Sequence, residues 1–258
     1  MKRRGSNVTR FWPVLACALL LAARPAFAEK QKARIGEKVG FFTADGVRIA
    51  GLYQKASGGQ KTFILLHGLG SNQEEWQAFA MALVKHGYGF LSYDARGHGQ
   101  STARRDGSRV TYDKFPMTEA DSPWQMMPGD LGGAVAFLGR EKGVPERKIG
   151  LIGASLGANV CLLYGVTNKS IPVIVLLSPG LTYAGLNSSD AIALCLSRPL
   201  AIAASPDDTY AFQSSQLLFG RIQKNRNASF FLGSDSQHGV QMLTDKFQRT
   251  LLQWLEKH

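Results

Sequence analysis

From residue 61 onward, short unbroken apolar runs alternate with longer stretches of helical period. The runs at 62–66, 89–93, 148–152, 171–177, 200–204 and 228–232 show little polar alternation. A strand with one wet face alternates, whereas one covered on both faces does not. These runs therefore predict interior strands of a parallel sheet. Helices are predicted between and after them at 74–86, 130–139, 156–167, 190–196, 211–218 and 241–255. In the last, Val240, Leu243, Phe247, Leu251 and Leu255 recur at three- and four-residue spacing, an apolar stripe suited to cover a sheet face. Strand–helix alternation builds right-handed βαβ units. The fold class is α/β: a doubly wound, mostly parallel sheet with helices on both faces. Ahead of it, 39–44 and 47–55 flank Asp45-Gly46 and predict an antiparallel N-terminal hairpin. The stretch 102–129 mixes Arg104, Arg105, Arg109 and Lys114 with Asp106, Asp113, Glu119 and Asp121, and predicts a solvated excursion.

The first 28 residues follow another pattern. Lys2, Arg3, Arg4 and Arg10 precede an apolar run at 11–23, and Ala26-Phe27-Ala28 closes it with a small-x-small triplet. This is the layout of a secretory signal peptide. The run falls short of the roughly 20 residues of a spanning helix, so a retained anchor is the weaker reading. The expected organisation is a signal peptide at 1–28, cleaved after Ala28, and a single domain at 29–258. The expected location is periplasmic or secreted, with no stable membrane span after cleavage.

Composition then narrows the classes. At 45% hydrophobic residues the chain has too much apolar surface for disorder, and 3 cysteines are too few for a disulfide scaffold. The net charge of +11 points first toward polyanions. Five of those charges lie in the leader, so a 230-residue mature chain carries +6. Apart from the 104–114 excursion its basic residues are dispersed along the chain, so no nucleic-acid partner is expected. Cys161 and Cys195 stay in the mature chain, as a pair or as two buried thiols.

The candidate chemistry sits where a strand meets a helix. Gly153-Ala154-Ser155-Leu156-Gly157 follows the run 148–152 and opens the helix at 156. G-x-S-x-G in that setting is a sharp turn that projects a serine hydroxyl at a strand's end, beside the positive end of a helix. Ser155 is therefore the candidate nucleophile. It needs a base and an orienting acid, which follow such a serine in the order acid, then histidine. Of the 5 histidines only His238 and the last residue, His258, lie after Ser155. His238 sits in the polar loop 233–239 and is the candidate base. Four carboxylates lie between: Asp190, Asp207, Asp208 and Asp235. Asp235 is too local to His238, and Asp190 reads as a helix cap. Asp208 is preferred to Asp207, both just beyond the strand 200–204. Oxyanion donors are expected from the backbone N–H of Leu156 and of Leu69, in the loop His67-Gly68-Leu69-Gly70. His67 reads as a loop-shaping residue.

These segments, with Ser92-Tyr93-Asp94-Ala95-Arg96-Gly97-His98-Gly99-Gln100-Ser101 and Gln237-His238-Gly239, resemble the α/β-hydrolase family across the mature chain. The resemblance implies a serine esterase, lipase or peptidase that needs no cofactor and no metal. It implies a structural role for Asp94, Arg96 and His98. Residues 178–199 leave room for only a loop and one short helix where relatives insert a large cap. An open site and a small acyl-ester substrate follow, with thioester or amide hydrolysis by the same residues as the alternative. Leu69, Trp124, Met126, Met127, Leu181 and Tyr183 line the mouth of that site or simply pack. Oligomeric state is left open.

Overall fold

The apolar runs enter one sheet. In chain order the elements are β1 (Glu37–Phe42), β2 (Arg48–Gln54), β3 (Thr62–Leu66), α1 (Gln77–Lys85), β4 (Gly89–Tyr93), α2 (Met127–Lys142), β5 (Ile149–Ala154) and α3 (Leu156–Thr167). They continue with β6 (Ile174–Leu177), β7 (Thr182–Tyr183), β8 (Leu186–Asn187), β9 (Leu200–Ala204), α4 (Thr209–Arg221), β10 (Ala228–Leu232) and α5 (Asp245–Glu256). This computed structural model describes Met1 and residues 35–117, 121–195 and 197–258. The signal-peptide expectation at 1–28 therefore concerns residues outside the described ones, Met1 apart. The eight-stranded sheet has the order β1-β2-β4-β3-β5-β6-β9-β10. Its β1–β2 and β2–β4 pairs are antiparallel and the others parallel. The strands β7 and β8 form a separate small ladder.

The lack of alternation has a direct cause. Ile64 and Leu66 of β3 join one core while Phe63 and Leu65 join the other, and in β5 Leu151 and Ile152 divide the same way. Successive side chains of a strand point to opposite faces, and here both faces are covered. The first core also holds Leu131 and Val135 of α2 and Val160 of α3; the second holds Phe79 and Leu83 of α1 and Leu251 and Leu255 of α5. Each such side chain contributes about 1.5–3 kcal/mol by leaving water.

Several boundaries differ from the apolar pattern, each for a local reason. β6 starts at Ile174 and not 171, because Pro172 brings no N–H to a ladder. The helix predicted at 190–196 is one 3-10 turn, Ala191–Leu194, and Asp190 does not cap it. The Asp190 carboxylate instead bonds Arg221 at 3.1 Å. The stripe predicted as one helix at 241–255 is a 3-10 turn, Gly239–Met242, followed by α5. The Thr244 hydroxyl accepts the Phe247 N–H at 3.4 Å and starts α5 afresh. The stretch 102–129 is not solvated throughout. Arg105, Arg109 and Lys114 are exposed, but Val110, Phe115 and Trp124 are buried. Arg48 N–H donates to Ala103 O, and Arg105 N–H to Gly46 O, each at 2.8 Å, tying the stretch to the hairpin. Cys161 and Cys195 are both free and buried.

Candidate active site

Parallel strands bring the chemistry-bearing residues to one edge, the C-terminal ends of β3, β5, β9 and β10. β5 turns into α3 at Ser155, whose φ of 53° and ψ of −120° are strained for a residue with a side chain. Such a backbone costs about 1–3 kcal/mol and must be held by its surroundings. Ser155 N–H donates to Leu177 O at 2.8 Å, and Ala158 N–H donates to Ser155 O at 2.9 Å. The flanking glycines are forced by crowding. A Cβ on Gly153 would strike the Gly157 carbonyl, and one on Gly157 would strike the carbonyls of Leu66 and His67. Leu156 opens α3, so its N–H is among the donors at the helix's positive end that have no intrahelical acceptor.

The loop after β3 runs alongside. A Cβ on Gly68 would lie 3.3 Å from Ser155 Cβ. The His67 ring accepts Ala95 N–H on Nε2 at 2.9 Å, which leaves the proton on Nδ1 for Gly68 O at 2.7 Å. Burial pushes its pKa down to about 4, so it is neutral near pH 7 with both ring nitrogens engaged. Glu75 accepts Gly68 N–H at 3.2 Å and the Ser71 hydroxyl from below the same loop. Burial raises the Glu75 pKa, while those bonds and the nearby His238 pull the other way. Asp94 accepts the N–H of Gln73 at 2.8 Å and of Gln100 at 2.7 Å, joining the loops after β3 and β4. Arg96 is buried between Asp130 of α2, 2.5 Å from Nε, and Asp45 of the hairpin turn, 2.9 Å from Nη2.

The loop after β10 presents His238. Its Nδ1 is 2.6 Å from Asp208 Oδ2. Asp208 stands at the head of α4, where the turn after β9 aims its carboxylate at that loop. Asp207 is exposed and meets the loop only through its backbone N–H, which donates to Asp235 O at 3.1 Å. The structure thus brings Asp208 to His238 and leaves Asp207, Asp190 and the Asp235 carboxylate elsewhere. Two supports escaped the sequence reading. Gln241 Oε1 accepts the His238 N–H at 3.0 Å, and Ser178 Oγ accepts the Gly239 N–H at 2.9 Å. The first had a signal in the His-x-x-Gln spacing of a capping box. Ser178, at a φ of 50°, acts across the sheet and had none.

Ser155 and His238 share a cavity of about 170 Å³ whose lining includes Gly68, Leu69, Glu75 and Gln241. Leu69 is among the residues of its wall. Of the other candidates for its mouth, Tyr183 lies near Ser155, its hydroxyl donating to Ser178 O at 3.4 Å. Trp124 and Met127 are buried in the core, and Leu181 packs against it. The stretch 102–129 folds inward at those points. Met126 is exposed, with its sulfur 3.1 Å from Arg96 Nη1, outside the cavity lining.

A mixed sheet with this strand order, a strained serine between β5 and α3 and a histidine loop after the last strand define an α/β hydrolase. Residues 59–253 match the family described as Serine aminopeptidase, S33, and the chain belongs to this α/β-hydrolase family. An esterase of Pyrococcus furiosus superposes with a TM-score of 0.68 at 22% identity, covering 86% of this chain and 89% of that one. An alpha/beta hydrolase of a Penicillium species superposes with a TM-score of 0.69 at 16% identity, covering 86% and 98%. A non-heme chloroperoxidase of Kitasatospora aureofaciens is 38% identical over 65 residues, 25% of this chain and 22% of that protein. An acetyltransferase component of the acetoin cleaving system of Cupriavidus necator is 25% identical over 140 residues, 54% of this chain and 31% of that protein. The chain thus matches less than a third of the length of either curated relative.

Proposed function

We propose that this α/β hydrolase is an exported serine carboxylesterase acting on small acyl esters. One observation carries the reading: the strained Ser155 shares a cavity with His238, whose Nδ1 is 2.6 Å from Asp208. With the Nδ1 proton donated to Asp208, Nε2 is free to accept the Ser155 proton. Ser155 Oγ attacks the ester carbonyl and the carbonyl oxygen becomes an oxyanion. The N–H groups of Leu69 and Leu156 receive that charge. Protonated His238 gives its proton to the leaving alkoxide, and an acyl-Ser155 remains. Water, deprotonated by His238, then releases the acid and regenerates the hydroxyl. A cavity near 170 Å³ favours a short acyl group, being below the roughly 300 Å³ at which drug-sized sites begin.

The test is a panel of p-nitrophenyl acyl esters, thioesters and aminoacyl amides, with a fluorophosphonate label. Wild type should label, hydrolyse short-chain esters fastest and lose about 10⁴-fold or more of its rate in Ser155→Ala. A folded wild type that neither labels nor turns over an activated ester overturns the reading in favour of a non-catalytic binding protein. Faster turnover of aminoacyl amides would establish the peptidase reading, which the family's description favours. Faster turnover of thioesters would make it a thioesterase.

A further inference from the structure

Basic residues that are dispersed along the sequence meet in space at the sheet edge away from Ser155. β3 and β5 begin at this edge and end at the site. At about 3.3 Å per residue, their five or six residues set the edges roughly 17–20 Å apart. Lys61 and Lys148 immediately precede these strands, and Lys55 follows β2, which runs the opposite way. Lys142 ends α2, which returns to the same edge, and Arg147 lies in the turn into β5. Lys55, Lys142, Arg147 and Lys148 line one open cavity of about 520 Å³, with no carboxylate among the described residues of its wall.

These cations are incompletely neutralised. Lys142 pairs with Glu37 at 2.6 Å. Of the other bonded acids near this edge, Glu146 is held by Asn168 Nδ2 at 3.1 Å and Glu256, at the end of α5, by His86 Nδ1 at 3.0 Å. The Lys148 ammonium donates to the neutral Gly59 carbonyl at 2.8 Å. Lys61 is close enough to Lys148 for burial and that like charge to depress its pKa. Lys55, Arg147 and Lys148 are exposed. Like charges held together with too few counter-charges gain from an external anion, and long solvated side chains fit an extended surface.

We propose that this edge docks on an anionic phospholipid surface and turns the Ser155 cavity toward the aqueous phase. The occupant is argued from charge and position. The cations come from the two neighbouring connections β2–β3 and α2–β5 around an open mouth, and β1 begins here, at the Glu37 that pairs with Lys142. Among the described residues no helix is long and apolar enough to cross a membrane. Contact through this edge is peripheral and salt-sensitive.

The test is cosedimentation of the full chain with vesicles of phosphatidylcholine containing about one-third phosphatidylglycerol, against phosphatidylcholine alone. The comparison is with the full-length triple variant Lys55→Glu, Arg147→Glu, Lys148→Glu, which keeps the same leader. Wild type should bind the anionic vesicles and leave them at about 0.5 M salt, where screening reaches ~4 Å. The variant should bind about a hundredfold more weakly, from roughly fivefold per lost cation. Its unfolding midpoint should stay within about 2 °C of wild type, showing that folding is intact. Equal binding by the folded variant, or equal binding to neutral vesicles, overturns the proposal. A variant that loses its unfolding transition is replaced by Lys55→Gln, Arg147→Gln, judged by the same binding comparison at about twentyfold. Release by inorganic phosphate at constant ionic strength also overturns it, in favour of a small-anion pocket.

Discussion

The two edges of the sheet handle charge in opposite ways. Near the Ser155 edge, Arg96, Asp94 and Asp130 are buried and every one is bonded to a named partner. At the other edge Lys55, Arg147 and Lys148 stand in water and touch few partners. Burial makes the first set rigid and intolerant, since removing one partner strands another charge without solvent. Solvation makes the second set tolerant, and exposed single substitutions there should shift stability by no more than about 0.5 kcal/mol. Precise geometry needs the first arrangement; adhesion to an extended charged surface needs only the second.

The strongest way to break this contrast is at the acid. Asp208→Asn keeps the shape of the side chain but disturbs the Nδ1–H of His238 that the carboxylate orients. The ester rate should fall by about 10³–10⁴-fold. Asp207→Asn, one residue away and exposed, should change it less than about threefold. Steady-state kinetics on both variants decide the matter, and equal losses would mean that the 2.6 Å contact does not carry the orientation.

Next in size is the buried arginine. Arg96→Met leaves Asp45 and Asp130 facing each other without their shared cation. Urea unfolding should show a loss of about 3–5 kcal/mol, with Arg96→Met/Asp130→Asn losing less than Arg96→Met alone. The corresponding Lys55→Met at the opposite edge should leave the midpoint in place. If the two substitutions cost the same, the contrast between bonded and solvated charge fails.

Acid tests the same edge without mutation. Burial holds His67 and His98 at about 4, against 6.5 for an ordinary histidine. The unfolded chain takes up a proton near pH 6.5 where the folded chain does not. Stability is therefore full above that value and falls progressively until about pH 4. The His67 shift alone corresponds to about 3 kcal/mol across the window. Asp45 acts lower. Burial would raise it, but its bonds to Arg96 and Thr43 hold it at about 2, so its contribution is present above pH 3.8 and lost as pH falls through 2. Urea midpoints between pH 7 and 4 should decline in wild type and decline less in His98→Gln. A flat profile would show these rings protonating in the folded state.

The sequence displayed the sheet well and its supports poorly, for one physical reason. Apolar runs such as 62–66 and 148–152 are written locally, because burial on both faces removes polar alternation at every position. Ser155 and His238 stood out for the same local reason, one in a glycine-flanked turn and the other in a polar loop. Ser178 acts on the loop after β10 and Glu75 lies near His238 of that loop, and their own neighbours in sequence say nothing of that. The charge pattern failed likewise: Lys55, Lys142 and Lys148 read as dispersed because only the antiparallel return of β2 and α2 brings them together. Pro172 and Thr244 were local signals overridden by a long apolar period, and they explain the misplaced boundaries of β6 and α5.

The smallest expected effect probes that hidden layer. Glu75 is the one acid among the described residues of the cavity lining, and it joins the loop carrying Leu69 to the neighbourhood of His238. Glu75→Gln can still accept the Gly68 N–H through Oε1, so the loop keeps its bond while the negative charge is lost. Removing a carboxylate near an imidazole that must become positive should slow ester hydrolysis by about three- to tenfold, from roughly 1 kcal/mol of lost attraction. The loss should fall on kcat with KM little changed, since that positive charge develops in the transition state. The acidic limb of the pH–rate profile should move to lower pH by about half a unit. A purely structural carboxylate would lower the unfolding midpoint and leave the limb in place. An unmoved limb with a normal rate would assign Glu75 to loop shape alone, and the site edge would then owe its electrostatics to Asp208.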